Sequence, residues 1–314
     1  MKKFAWTLTA FAVALLLQSY TTPAHAQVAR TWVSATGNDN NYSAGCPATA
    51  PCGTFGVALN TTTQGGEIYC LGPAEGNPAS TVTITYAVTI DCRGTIGAHA
   101  TYSANGFVIN APGAVVTLRG LIVDGFVGYN NGSSAGLNGV LIQAAAVVNI
   151  EDCVIENYSQ AGISDTRTGG GTRLFIKNTV VRNNTGAGIV AAAAAVNSAV
   201  LENVQSVGNK YGIAVASGNH VVVSRSVMSQ NTTAGVEADP GAQVSVDNTE
   251  ITHNIVVGVQ AYGTVTLANS DISYNSAAIS GATTSYGNNR IFGNPESSTA
   301  PTPIGGASPD YGQQ

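Results

Sequence analysis

The chain has 314 residues, of which only 9% are charged, with a formal net charge of −5 and 37 glycines. So few Glu and Lys residues exclude an ordinary helical globule, whose helices are built largely from such residues. The weak negative charge and the lack of any basic cluster exclude a nucleic-acid-binding surface.

Residues 1–26 read as a secretory signal. Lys2 and Lys3 form its positive end, Phe11 to Leu17 its apolar run, and Ala24-His25-Ala26 its small-residue cleavage site. The apolar run is too short for a permanent anchor, and no later segment offers eighteen uninterrupted apolar residues. The mature protein is therefore expected to be exported, secreted or held in the periplasm or at the cell surface, without a transmembrane anchor.

Residues 27–66 read as an N-terminal cap. Arg30 to Ser34 forms a short strand, and Cys46 and Cys52 bracket a loop short enough to close with a disulfide. Residues 53–62, with Phe55, Ala58 and Leu59 at helical spacing, predict a short helix ended by Gly65-Gly66. That helix covers the open end of the repeat region beginning at residue 67, where bare strands would invite aggregation. Cys70 and Cys92 share an alternation face and stand 22 residues apart, so they can stack in the core either bonded or as small hydrophobes. Cys153 reads as a free buried thiol. Five cysteines suit an oxidising compartment, and no Cys/His spacing suggests a metal.

Residues 67–294 carry a repeat. Take Ile150, Ile176, Leu201, Val223, Val246, Leu267 and Tyr286 as position zero; their spacings fall from 26 to 19 residues. Two residues on stand Asp152, Asn178, Asn203, Arg225, Asn248, Asn269 and Asn288. Eight on stand Tyr158, Asn184, Asn209, Asn231, Asn254, Asn275 and Asn294, and a Gly–aliphatic pair such as Gly188-Ile189 comes next. A period in the twenties with β-branched strands and glycine turns predicts an all-β solenoid of about ten coils. Stacked at the strand spacing of roughly 4.8 Å, asparagines pass amide hydrogen bonds from coil to coil. Both columns are expected at left-handed corners, which asparagine tolerates. Asp152, Tyr158 and Arg225 are the exceptions worth pursuing for function. Residues 295–314, rich in Pro, Ser and Gly, read as a flexible tail or a loose cover for the last coil.

The coil pattern, as in residues 244–259, resembles right-handed parallel β-helix proteins of the pectate lyase-like superfamily. Arg30 to Asp39, residues 52–55 and Gly65 to Ile68 are similar to an uncharacterised secreted bacterial group of that fold. The resemblance spans roughly residues 30–294 and implies the right-handed parallel β-helix; its activities range from lyases, hydrolases and epimerases to adhesins and inert scaffolds. Hydrolases of the fold carry an Asn-Thr-Asp segment, a paired Asp-Asp, a Gly-His-Gly and an Arg-Ile-Lys. Here the nearest match is Asn248-Thr249-Glu250, and the other three motifs are missing from the sequence. Lyases of the fold hold calcium with clustered carboxylates, and no such cluster stands out.

Two candidate sites remain. Asp124, Glu156 and Arg182 fall on consecutive coils, as a charge ladder that fixes register or as a groove flanking a sugar. Two long loops bring Tyr129, Asn130 and Asn131 beside Asp165, Arg167 and Arg173, a set suited to sugar hydroxyls or a uronate. The expected function is a non-catalytic, exported protein that binds a polysaccharide or acts as a rigid envelope scaffold, with no cofactor. The alternative is a polysaccharide lyase, glycoside hydrolase or epimerase on a uronate-containing glycan, with calcium only in the lyase case.

Overall fold

A computed structural model of the chain describes residues 27–72, 80–126, 135–194 and 197–304. Each regular coil contributes three strands, for example Val147–Glu151, Val154–Glu156 and Ile163–Asp165. Every strand pairs in parallel with its equivalent one coil on: Ile150 opposes Ile176, Ile155 opposes Val181, and Ile163 opposes Ile189. Alternation sends Val148, Ile150, Ile155 and Ile163 into one continuous apolar core. The second strands form a nine-stranded sheet, and the first and third strands join in a nineteen-stranded one. The expected all-β parallel solenoid is observed, with about nine turns where about ten coils were expected.

The two asparagine columns play different parts. The residues two beyond position zero, Asp152, Asn178, Asn203, Arg225, Asn248 and Asn269, all adopt a left-handed backbone with φ from 47 to 56°. They turn the first strand into the second, and their side chains lie outside. The residues eight beyond do not adopt it, contrary to expectation; the left-handed residue is the one before, such as Asn183 or His253. That turn points the following asparagine inward. Asn231 is fully buried, donating from Nδ2 to Asn254 Oδ1 at 2.9 Å and accepting from the backbone N of Asn209 at 3.0 Å. Asn254 and Asn275 repeat the pattern. A buried amide with both ends satisfied is tolerated, and one left unpaired costs about 1–3 kcal/mol. The glycine after this asparagine is required by close approach. A Cβ on Gly188 would lie 2.2 Å from Ser206 Oγ, and one on Gly212 would lie 2.4 Å from the Gly235 carbonyl oxygen.

As the period shortens, the third strand of one coil runs directly into the first of the next, giving Val257–Ala268 and Ala277–Ser285. At the other end, the helix Phe55–Thr61 packs Phe55 against Phe107, with ring centres 5.9 Å apart. Asp39 fixes its start, accepting from the backbone N of Gly53 and of Thr54 at 2.9 Å. Gly65-Gly66 does not terminate this helix as expected. Thr62 ends it in extended backbone, and the glycines lie within the strand Thr62–Cys70. Cys46–Cys52 and Cys70–Cys92 are disulfide-bonded. Cys153 is free and buried, and burial pushes its thiol pKa up to about 12.

Part of the tail lies against the last coil. Thr302–Pro303 pairs with Thr284 and Ser285, and Ser298 Oγ accepts from the backbone N of Ala278 at 2.8 Å. The last coil offers its unpaired strand groups to this segment, which satisfies them. The signal segment 1–26 lies outside the described residues. Among the described residues, no helix is long and apolar enough to cross a membrane.

Candidate functional site

Asp124, Glu156 and Arg182 stand in register on three consecutive coils. All three are engaged. Arg182 Nε donates to Glu156 Oε2 at 2.6 Å, and Asp124 Oδ1 accepts from the Phe126 backbone N and from Asn157 Nδ2, both at 2.9 Å. A second column runs alongside on the first strands: Asp91, Arg119, Glu151, Lys177 and Glu202, alternating in sign from coil to coil. Arg119 Nε meets Glu151 Oε2 at 2.8 Å, and Lys177 Nζ meets Glu202 Oε1 at 3.5 Å. The Arg93 guanidinium holds the Asp91 carboxyl below its ordinary pKa. Cross-strand pairs of this kind contribute about 0.2–1 kcal/mol each and oppose register slips.

The two-loop patch is not assembled from described residues. Tyr129, Asn130 and Asn131 lie outside them. Asp165 and Arg167, expected on an exposed loop, are interior instead, with side chains 4% and 1% exposed. Arg167 clasps Asp165 through Nε at 2.8 Å and Nη2 at 2.6 Å, and its Nη1 donates to the carbonyls of Ala145 and Arg173 at 3.2 Å. The strand extends through Asp165, and the connection folds its guanidinium beneath itself, where two carbonyls and a carboxylate satisfy it. Arg173 is exposed, at the start of the strand Arg173–Lys177. Of the two exceptions beside these loops, Tyr158 fills the core and bonds Thr101 Oγ1 at 3.2 Å, while Asp152 accepts from Asn178 Nδ2 at 3.0 Å. Both are structural.

The third exception, Arg225, leads elsewhere. On the last four coils, the bend between first and second strands encloses a groove of about 620 Å³ lined by Arg225, Asn248, Glu250, Asn269, Asp271 and Arg290, among others. Sequence reasoning overlooked it, although a signal was present. The column four beyond position zero reads Ile122, Val154, Val180, Gln205 and Val227, then turns to Glu250, Asp271 and Arg290.

The two arginines are already neutralised. Arg225 Nη2 reaches Glu202 Oε1 at 2.6 Å, and Arg290 pairs with Asp271 Oδ2 through both Nε and Nη2. The Arg225 guanidinium lowers the Glu202 pKa. Several acceptors and donors are left over. Asp271 Oδ1 is buried without a hydrogen-bond partner. The outer amide ladder passes from Asn288 to Asn269 and then to Asp247, bypassing Asn248. Neither the Asn248 amide nor the Glu250 carboxylate makes a side-chain hydrogen bond or salt bridge with the described residues. Glu250 and Asp271 are directly opposed on adjacent strands. The groove thus offers an amide and a carboxylate without side-chain partners among the described residues, chemistry suited to a ligand rich in hydroxyl groups. Among the described residues, no group of three or more His, Cys, Asp or Glu is arranged to hold a metal ion.

Solved structures share the architecture at low identity. Pectate lyase Pel9A aligns with a TM-score of 0.63 and 15% identity, covering 84% of this chain and 73% of the enzyme. Full-length tailspike protein 2 of an Escherichia coli O157:H7 bacteriophage aligns with a TM-score of 0.54 and 12% identity, covering 76% of this chain and 38% of the tailspike. The enzymatically active domain of that tailspike aligns with a TM-score of 0.53 and 12% identity, over 76% of this chain and 43% of the domain. No curated protein matches by sequence. The family profile described as the right-handed β-helix region matches residues 105–277, more than half of the sequence. The chain belongs to the right-handed β-helix family.

Proposed function

We propose that this protein is an exported, non-catalytic β-helix that holds a polysaccharide chain in the groove of its last four coils. The observation that carries this reading is the pair of polar groups at Asn248 and Glu250, unused among the described residues, on a scaffold whose other charge columns are paired. The fold supports it too, since a pectate lyase shares the architecture. A groove crossing successive coils at the strand spacing suits an extended, repeating ligand better than a compact one. Two disulfides agree with an oxidising compartment outside the cytoplasm.

The test is binding of soluble polysaccharides by affinity electrophoresis and calorimetry. Glu250→Gln combined with Asn248→Ala is expected to weaken retention about tenfold, equivalent to about 1.4 kcal/mol. Unchanged retention would place the ligand elsewhere.

A second reading, a glycoside hydrolase, is favoured by one observation: Glu250 and Asp271 stand side by side on adjacent strands, and glycoside hydrolysis uses a pair of nearby carboxyl groups. Release of reducing ends that Glu250→Gln abolishes would establish it and overturn the non-catalytic reading. The lyase form of that alternative calls for calcium. Among the described residues no three His, Cys, Asp or Glu side chains are arranged to hold a metal ion, and one of the two groove carboxylates is bound to Arg290.

A further inference from the structure

The chemistry of the groove also bears on which polysaccharide it takes, an inference that rests on the glycan-binding reading. Charge comes first. Both arginines of the groove are committed, Arg225 to Glu202 and Arg290 to Asp271. The groups open to a ligand are the Glu250 carboxylate, the Asn248 amide and the guanidinium N–H groups of Arg225 and Arg290 that their carboxylate partners do not take. An anionic sugar would bring its carboxylate towards Glu250 and Asp271, where the charge of each arginine is already matched by a carboxylate and Glu250 adds one more negative charge. Hydroxyl groups, in contrast, donate to Glu250 and pair with the Asn248 amide.

The second observation is an aromatic strip on the same coils. The strands Glu250–Thr252, Asp271–Ser273 and Arg290–Phe292 present the groove at their first residues. At or just past their last residues stand His253, Tyr274 and Phe292. The ring centres are 5.4 Å apart between His253 and Tyr274, and 5.2 Å apart between Tyr274 and Phe292. The Arg290 guanidinium joins groove to strip, lying 5.4 Å from the Phe292 ring centre while it pairs with Asp271. Tyr274 is 54% exposed and Phe292 40%.

Core packing does not account for these rings. On earlier coils the position of His253 and Tyr274 is held by Asn157, Asn183, Gly208 and Gln230, none aromatic. It is moreover a left-handed position, with φ of 57° at Tyr274 and at His253. A bulky residue there is held against its backbone preference, a cost the chain bears at functional sites more often than elsewhere. Aromatic rings supply broad, rigid contact at low entropic cost, and their negative faces attract the C–H groups of a sugar ring.

We propose that the groove and the strip together seat an uncharged glycan, whose hydroxyls bond Glu250 and Asn248 while the C–H faces of its rings pack on Tyr274 and Phe292. The experiment uses the mature chain against soluble glucan, mannan, xylan and arabinan, with polygalacturonate as the acidic comparator. At least one neutral glycan is expected to bind, with an affinity little changed between low and high salt, because no ion pair forms. Tyr274→Ala and Phe292→Ala are each expected to weaken it about tenfold, and Tyr274→Phe to leave it intact. Melting curves confirm that the variants fold. Tighter, salt-sensitive binding of polygalacturonate overturns the proposal, as does wild-type affinity in Tyr274→Ala and Phe292→Ala. Failure of every glycan to bind overturns the glycan reading itself, which separates the two outcomes.

Discussion

Glu156 and Glu250 are both outward-facing carboxylates on second strands of the solenoid, four coils apart. Glu156 sits between Asp124 and Arg182 and is bound by the arginine. Glu250 sits between Val227 and Asp271 and makes no side-chain hydrogen bond or salt bridge with the described residues, feeling only the nearby charge of Arg290. The solenoid offers nearly the same lattice of outward positions at every coil, so the position of a charge carries little functional information. What distinguishes the two regions is whether the hydrogen-bonding capacity of each group is used. The middle coils use it to hold register, and the last coils leave part of it open.

On that contrast, variants in the middle coils alter stability and spare binding, while those at the last coils do the reverse. The largest stability effect is expected at the interior clasp. Arg167→Met leaves the Asp165 carboxylate buried and uncompensated, a loss of about 3–5 kcal/mol in urea unfolding, most of which Asp165→Leu in the same chain should restore. Next comes Asn209→Ala, which strips the partner from the buried backbone N of Asn184 and should cost about 1–3 kcal/mol in the same assay. Glu156→Gln lies lower still: the exposed pair with Arg182 is expected to contribute no more than about 1 kcal/mol, with glycan retention unchanged. Lost retention in that variant would dissolve the contrast.

The smallest effect concerns Glu237, whose carboxyl pKa is raised by burial and by the neighbouring Asp239. A raised folded-state pKa gives stability that is present at low pH and lost as pH rises through the folded value. Glu237→Gln should therefore raise the melting temperature slightly at about pH 7 and lose that advantage by about pH 4. A gain at both pH values would assign the effect to packing instead.

The repeat was fully legible in the residues, because a solenoid writes each structural position many times over. Asparagine at a fixed offset, glycine before an aliphatic residue, and falling spacings each had six or seven copies to average. The same redundancy explains the misreadings. Both asparagine columns were assigned to left-handed corners because one residue type suits either role; which column turns outward depends on the backbone angle of its neighbour, which no side-chain pattern records. Arg167 looked exposed because a Gly-rich stretch comes after it, whereas its burial depends on the carbonyls of Ala145 and Arg173 arriving from elsewhere in the chain. Glu250, Asp271 and Arg290 were overlooked because they break their column only in its last three copies, too late to register against five mostly aliphatic ones.

The placement of the two disulfides has a consequence for how the molecule breathes. Cys46–Cys52 staples the N-terminal cap and Cys70–Cys92 the first coils, and the remaining cysteine, Cys153, is unbonded. In a structure where each coil holds only its neighbours, opening begins at whichever end is least secured. Here that is the end bearing the groove, closed by the short pairing of Thr302–Pro303. Backbone amide exchange should therefore quicken towards the last coils, and a bound ligand should slow it there first. The protein would report its own occupancy as a zipper whose loose end has been pinned.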